Sequence, residues 1–148
     1  MAATSRVPAL YTALVDLCLA APGYADVQIY SAPIALEQTA PESIQFDDAT
    51  PTQAWGALGN KARDEEFDLG LTISVVVPGG GEEEMTAARD RVFALLAVLE
   101  LLLRTDPSAG GSVRVAHVTS APLTQIPTPQ GRMAILSVTV HASARLTI

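Results

Sequence analysis

One cysteine and few basic residues set the first limits on this 148-residue chain. Cys18 has no second cysteine to pair with, so an internal disulfide and a cysteine metal cluster are excluded. Its place on an apolar helical stripe predicts a buried structural thiol rather than a nucleophile. The chain has 9 Lys and Arg against 16 Asp and Glu, and the basic residues are scattered. A net charge of −7 therefore argues against a protein held on nucleic acid by phosphate contacts.

Acidic residues are absent from Pro107 to the C-terminus. These last 42 residues carry three arginines, for a net charge of +3, which leaves −10 on the preceding 106 residues. A free monomer needs mixed charge over its whole surface, whereas a subunit of an assembly can leave one stretch nearly uncharged because neighbours cover it. This asymmetry favours a structural, assembling protein.

Long hydrophobic runs are also missing. The most apolar run, residues 92–99, is broken by Glu100 and falls short of the ~18 residues that a membrane span needs. Asp16 interrupts the apolar N-terminal stretch, so we expect a helix there rather than a secretion signal. The length and the 49% apolar content predict a single globular domain over residues 1–148.

Two amphipathic helices are predicted. Apolar residues recur at helical spacing from Val7 to Cys18, Pro8 suits the first turn, and Ala-Pro-Gly at 21–23 ends a helix over Val7–Ala20. A second helix over Glu82–Thr105 begins with three glutamates, which oppose the positive end of its dipole. Its middle is apolar nearly all round, so we expect it to pack on a sheet and also to meet a neighbour.

Strands are predicted where apolar and polar residues alternate, at residues 27–31, 43–47, 65–77, 112–119 and 132–148. In the third of these, the face from Phe67 to Val77 is apolar and the face from Glu66 to Ser74 is polar, and Val138 lies on the apolar face of the last. Residues 32–42 and 120–131 are predicted as Pro-containing loops, the latter joining the last two strands as a hairpin. Residues 48–64 are predicted as a long loop with one helical turn after Pro51.

The order α-β-β-β-α-β-β has too few helices to cover both faces of a sheet. It predicts an α+β (α/β) fold with a mainly antiparallel sheet of four to five strands and two helices packed on one face.

No motif for catalysis stands out. The glycines at 79–81 lack the Gly-Lys-Ser/Thr of a phosphate loop and read as a strand-to-helix turn. His117 and His141 are expected near each other if their strands pair, but no carboxylate in the C-terminal segment accompanies them, and Ser143 lacks a nucleophile elbow. Trp55 either caps the core of the domain or anchors a protein contact. We therefore expect no enzyme activity, no cofactor and no metal.

Several segments together resemble the tail terminator proteins of long-tailed, non-contractile (siphovirus-type) bacteriophages. They are the opening helix at 7–20, the strands at 27–31 and 43–48, the Ala-Trp-Gly-Ala-Leu-Gly run at 54–59, the Asp-Glu-Glu-Phe start of the strand at 64–77, the helix segment at 87–96, the Arg-Thr-Asp-Pro turn at 104–107, and the Gln-Gly-Arg at 130–132 that leads into the closing strand. The likeness is one of organisation and extends over nearly the whole chain.

The resemblance implies a small α/β subunit of a ring, expected to be hexameric, at the head-proximal end of the tail tube. Such a ring ends tube polymerisation and joins the connector of the capsid. The implied partners are further copies of the chain, the tail tube protein and a head-completion or connector protein. Genomic DNA would pass through without specific binding, no membrane is involved, and the protein would lie at the tail-neck junction after assembly in the host cytoplasm.

Two residue sets follow as expectations from the resemblance. Six copies of charge −7 would carry −42, and an acidic bore would let DNA pass without sticking; the candidate bore residues are Glu37, Glu42, Asp47, Asp48, Asp64 and Glu66. The candidate assembly-interface residues are Trp55, Leu58, Asp68, Leu101, Pro127, Arg132, His141 and Arg145. The alternatives are another neck component, such as a head-completion or connector protein, and a soluble bacterial ligand-binding domain or enzyme.

Overall fold

The computed structural model describes residues 4–35, 40–57 and 62–146, without the side chains of 55–57. Within them the chain forms two helices, one short 3-10 turn and six strands. The elements run α1 (Val7–Ala20), the turn Pro22–Tyr24, β1 (Gln28–Tyr30), β2 (Glu42–Ala57), β3 (Ala62–Val77), α2 (Glu82–Thr105), β4 (Val115–Ser120), β5 (Leu123–Thr128) and β6 (Gly131–Leu146). Both predicted helices are confirmed with their bounds.

The strands form one sheet in the order β1-β2-β3-β6-β4, and β5 also pairs with β6. Strand β3 pairs with β6 along nearly its whole length, and β4 and β5 lie end to end along the other edge of β6. Each pairing is antiparallel except that of β1 with β2. The mainly antiparallel α+β fold is thus confirmed, whereas the predicted strand number and order were wrong in detail, because the sheet has six strands.

The hydrophobic core lies between the two helices and one face of the sheet. Phe67, Leu69 and Leu71 of β3 and Val138 and Val140 of β6 are buried there together with helix residues, so the predicted phase of both strands is confirmed. Cys18 is buried in the same core, and burial raises the pKa of its thiol to about 12. The Tyr24 hydroxyl lies in this core as well and donates to the Leu95 carbonyl at 2.7 Å.

The predicted loop at residues 48–64 was wrong. Residues 49–57 continue β2 and pair with the start of β3, after a bulge between Phe46 and Ala49. Pro51 indicated a break, but proline is tolerated in an edge strand, where one N–H is not needed by the sheet. The outer part of β2 places exposed Thr, Gln and Ala along the sheet edge, so it lacks the apolar alternation that marks a strand.

The loop predicted at residues 120–131 was wrong for a similar reason. Residues 123–128 form β5, an edge strand that pairs with the first half of β6 and contains Pro127. Strand β4 begins at Val115, later than the predicted residue 112, because Asp106 organises a turn before it. The Asp106 carboxylate accepts hydrogen bonds from the Ser108 hydroxyl and the Gly110 N–H, both at 2.6 Å, which lowers the Asp106 pKa.

Among the described residues, no helix is both long enough and apolar enough to cross a membrane.

Candidate functional site

One half of the second sheet face is exposed and carries most of the ionisable residues singled out from the sequence. Asp64, Glu66 and Asp68 of β3 alternate with buried neighbours and face Arg145, Ser143 and His141 of β6 in register. At the other end of this face Ser43, Ser74 and Ile135 are buried, and the Ser43 and Ser74 hydroxyls bond at 2.7 Å. We call this exposed half, with Asp64, Glu66, Asp68, His141, Ser143 and Arg145, the open face.

His141 lies at the centre of the open face with carboxylates around it. Its Nδ1 lies 2.8 Å from Asp68 Oδ1, and its Nε2 lies 4.0 Å from Glu66 Oε1. His117 of β4 is directly opposite His141, with the ring centroids 5.9 Å apart in an edge-on arrangement. The expected proximity of the two histidines is confirmed.

The C-terminal segment has no carboxylate to offer His141, but β3 supplies one. Asp68 comes from β3, 73 residues earlier in the chain, and reaches His141 through strand pairing. Ser143 makes no hydrogen bond to His141 in the structure and is opposite Glu66, so a nucleophile–base contact is not formed. Within the described residues, no three His, Cys, Asp or Glu side chains converge in a way that can hold a metal ion.

Asp64 and Arg145 form an ion pair at the end of the open face. Arg145 Nε donates to Asp64 Oδ1 at 2.8 Å and Nη2 donates to Oδ2 at 3.3 Å. This forked contact lowers the Asp64 pKa and raises that of Arg145. Asp64, a candidate bore residue, and Arg145, a candidate interface residue, therefore neutralise each other.

The other candidate bore residues lie in different surroundings. Glu42 accepts from Arg91 of α2 at 2.8 and 3.0 Å and is neutralised there. Asp47 accepts from Thr72 and Gln45 side chains, and its backbone carbonyl accepts from the Tyr11 hydroxyl. Asp48 and Glu66 are exposed, whereas Glu37 lies outside the described residues.

The outer side of α2 carries an apolar stripe. Phe93, Ala97 and Leu101 follow each other at intervals of four residues, and Ala94 lies beside Phe93; all four are exposed. Phe93 is 43% exposed and Leu101 is 61% exposed, which is high for side chains of this size. The stripe lies opposite the buried face of Val92, Leu95 and Leu99, as the apolar pattern of this helix predicted.

The remaining interface candidates are spread over the molecule. Trp55 lies in β2 rather than in a loop, with its backbone opposite Arg63, but its side chain is not among those described, and Leu58 also lies outside the described residues. Pro127 is exposed in β5, and Arg132 donates to the Gly80 carbonyl at 2.7 Å. The candidates whose side chains the structure describes therefore belong to several surfaces and do not form one patch.

Glu65 has a role that the sequence did not reveal. Its side chain points to the core face, is fully buried, and accepts from the Ser5 hydroxyl at 2.6 Å and the Arg6 N–H at 2.7 Å. These contacts place a carboxylate at the start of α1, where the helix dipole is positive. Because Glu65 lies between two other acidic residues, it reads as part of an exposed acidic segment. The one signal of its burial is its position in the apolar phase of β3.

An arginine-lined cavity of about 320 Å³ lies beyond the Asp64–Arg145 pair. Arg6, Arg114 and Arg145 line it, together with Ser112, Ala144 and Leu146. Arg6 Nε donates to the Ser112 carbonyl at 2.8 Å. The cavity is a local basic site on a protein whose net charge is −7.

Comparison with known proteins gives a structural likeness alone. No protein-family model matches the chain, and no curated protein matches it. A chain in a solved structure described as the virion of a native gene transfer agent (GTA) particle superimposes with a TM-score of 0.52 and 11% sequence identity. The likeness covers 96% of this chain and 100% of that chain, so the two share a fold over their whole length.

Proposed function

We propose that this chain is a structural virion protein that caps the head-proximal end of a phage tail tube as a ring, expected to be hexameric. The observation that carries the proposal is the full-length likeness to a chain of a gene transfer agent virion. It agrees with the resemblance of the sequence to tail terminators. In this role the protein acts by binding and not by catalysis.

The surfaces of the molecule support repeated contacts between copies. The exposed apolar stripe of α2 and the open face lie on opposite sides of the core and differ in chemistry. A contact between two different surfaces is heterologous, and such contacts make a ring when the rotation between copies closes. Each subunit of the cap would bind the open end of the last tube ring and present a different surface to the head connector. Tube growth would then stop.

A second candidate is another neck component, such as a head-completion or connector protein. The observation that favours it is that the similar chain is described by its whole virion, so the likeness does not distinguish among virion positions. Both candidates predict rings, and they differ in which partner is bound.

Ring formation is tested by native mass spectrometry with negative-stain images of the same sample. We expect closed rings near six subunits with a central opening. Leu101→Ser should weaken ring formation because it removes a large exposed apolar contact. Leu19→Ser, on the exposed side of α1, is the matched control because Leu19 is 65% exposed, close to Leu101. Equal loss of rings in both variants would argue against a contact through the α2 stripe.

Tube capping is tested by adding the protein to growing tubes of the tail tube protein from the same virion. Tube length should fall as the ratio of added protein to tube protein rises, and the ring should appear at one tube end. If tube length is unchanged while rings bind a purified head connector, the neck-component candidate replaces the terminator.

A further inference from the structure

Two of the three arginines that line the cavity donate no side-chain hydrogen bond to a carboxylate of the described residues. Arg145 is paired with Asp64, but no hydrogen bond or ion pair reaches the Arg114 side chain from the described residues, and Arg114 is exposed. Arg6 uses its Nε on a neutral carbonyl. The buried Glu65 nearby is engaged by Ser5 and the start of α1. Arg114 helps to lower the Asp64 pKa and shares an adjoining cavity with Asp64 and Glu66. Among the described residues, however, no carboxylate accepts a hydrogen bond from the side chain of Arg6 or Arg114.

Guanidinium groups bind carboxylates through paired N–H donors, and they do so best where several converge on one concave surface. The cavity thus fits an acidic peptide segment. The chain itself supplies one: Glu82 and Glu83 open α2, are exposed, and make no ion pair or hydrogen bond among the described residues. Glu84 instead folds back over Gly79 and Gly81.

The acidic segment of one copy cannot reach its own cavity. Asp64, beside the cavity, lies near the start of β3, and Val77 ends that strand 13 residues later. At ~3.3 Å per residue the two ends of the strand are roughly 43 Å apart. Glu82 follows Val77 after a short Pro-Gly turn, so it lies at the far end of the sheet. The contact is possible only between copies.

We propose that the cavity formed by Arg6, Arg114 and Arg145 binds the Glu82–Glu83 segment of a neighbouring copy. This inference rests on the proposed ring and names one of its contacts. The two partner surfaces are different, so each copy donates its acidic segment to the next and receives one from the copy before. Repetition of this contact gives a ring when the rotation closes.

A charge exchange tests the contact. Arg114→Glu alone places like charges together, and the double variant Glu82→Arg, Glu83→Arg does the same with the opposite sign. Each variant alone should self-associate at least roughly tenfold more weakly than the unchanged protein at low salt. In an equal mixture, the altered cavity of the Arg114→Glu variant can bind the basic segment of the double variant, and the unchanged cavity of the double variant can bind the unchanged acidic segment of the other. The two variants should therefore form alternating rings with equal numbers of each. High salt should reduce these differences.

A matched charge change elsewhere serves as the control. Asp16→Arg lies on the exposed side of α1, away from both proposed contacts, and should assemble like the unchanged protein. The inference is overturned if the cavity variants assemble normally, if mixing does not restore rings, or if the unchanged protein stays monomeric at the highest attainable concentration. Inorganic phosphate that binds the cavity without affecting assembly would assign it to a free anion instead. Because tube capping is measured separately, a protein that caps tubes without this contact keeps the proposed function.

Discussion

The two faces of β3 and β6 differ in how they accommodate charged side chains, although alternating residues of the same two strands form both faces. The face toward the helices buries one carboxylate among the described residues, Glu65, and holds it by hydrogen bonds at the start of α1. The open face keeps Asp64, Asp68, His141 and Arg145 in contact with solvent as cross-strand pairs. A charge on the first face must be matched within the fold, whereas a charge on the second is stabilised by water.

The largest expected effect comes from placing an unmatched charge on the helix-covered face. Val138 is buried there, and Val138→Asp should cost about 4 kcal/mol or more, enough to unfold a domain of ordinary stability. Ser137→Asp, one residue earlier and exposed on the other face, should change stability by about 0.5 kcal/mol or less. Circular dichroism and urea denaturation measure both. A folded Val138→Asp protein with unchanged thermal unfolding would contradict the strand phase.

A smaller effect is expected from removing the matched charge. Glu65→Ala leaves the Arg6 N–H and the Ser5 hydroxyl without their acceptor at the start of α1 and should cost about 3 kcal/mol. Glu66→Ala removes the same charge from the adjacent, exposed position and should cost about 0.5 kcal/mol or less. The measurement is the free energy of unfolding in urea. Equal losses of unfolding free energy in the two variants would show that burial does not determine how much the removal of a carboxylate destabilises this fold.

The smallest effect is expected on the open face, and it should depend on pH. Arg145 lowers the Asp64 pKa in the folded state, so the pair stabilises the fold above the ordinary Asp pKa of about 4, and this is lost as pH falls through the lowered value. The stability difference between the unchanged protein and Arg145→Ala should therefore be largest near neutral pH and shrink in acid. Urea denaturation across pH 2 to 7 measures this difference. A difference that grows toward low pH would contradict the assignment.

Prediction from sequence succeeded where the periodic signal was long. The apolar repeat from Val7 to Cys18 and the glutamates before the apolar run of α2 gave both helices, and strict alternation gave the phases of β3 and β6. It failed in the outer part of β2 and in β5. These are edge strands with few buried side chains, and Pro51 and Pro127 in them suggested loops. Their strand character comes from backbone pairing, which leaves little trace in side-chain pattern.

The sequence singled out the candidate residues one by one, but it did not predict which of them contact each other. Asp68 and His141 were both named, yet their contact depends on the register between β3 and β6. The candidate Glu42 of β2 is ion-paired with Arg91 of α2, and this contact depends on how the helix packs on the sheet. The convergence of Arg6, Arg114 and Arg145 on one cavity joins the two ends of the chain, which no local pattern can indicate.

The two helices, the faces of the long strands and the separation of acidic from basic charge follow from the amino-acid pattern, because each depends on residues close together in the chain. The hydrogen bonds of Glu65 at the start of α1, the contact of His141 with Asp68 and the cavity shared by three distant arginines are visible only in the folded molecule. Each of those contacts joins residues about 30 to 140 positions apart, and strand pairing in space brings them together.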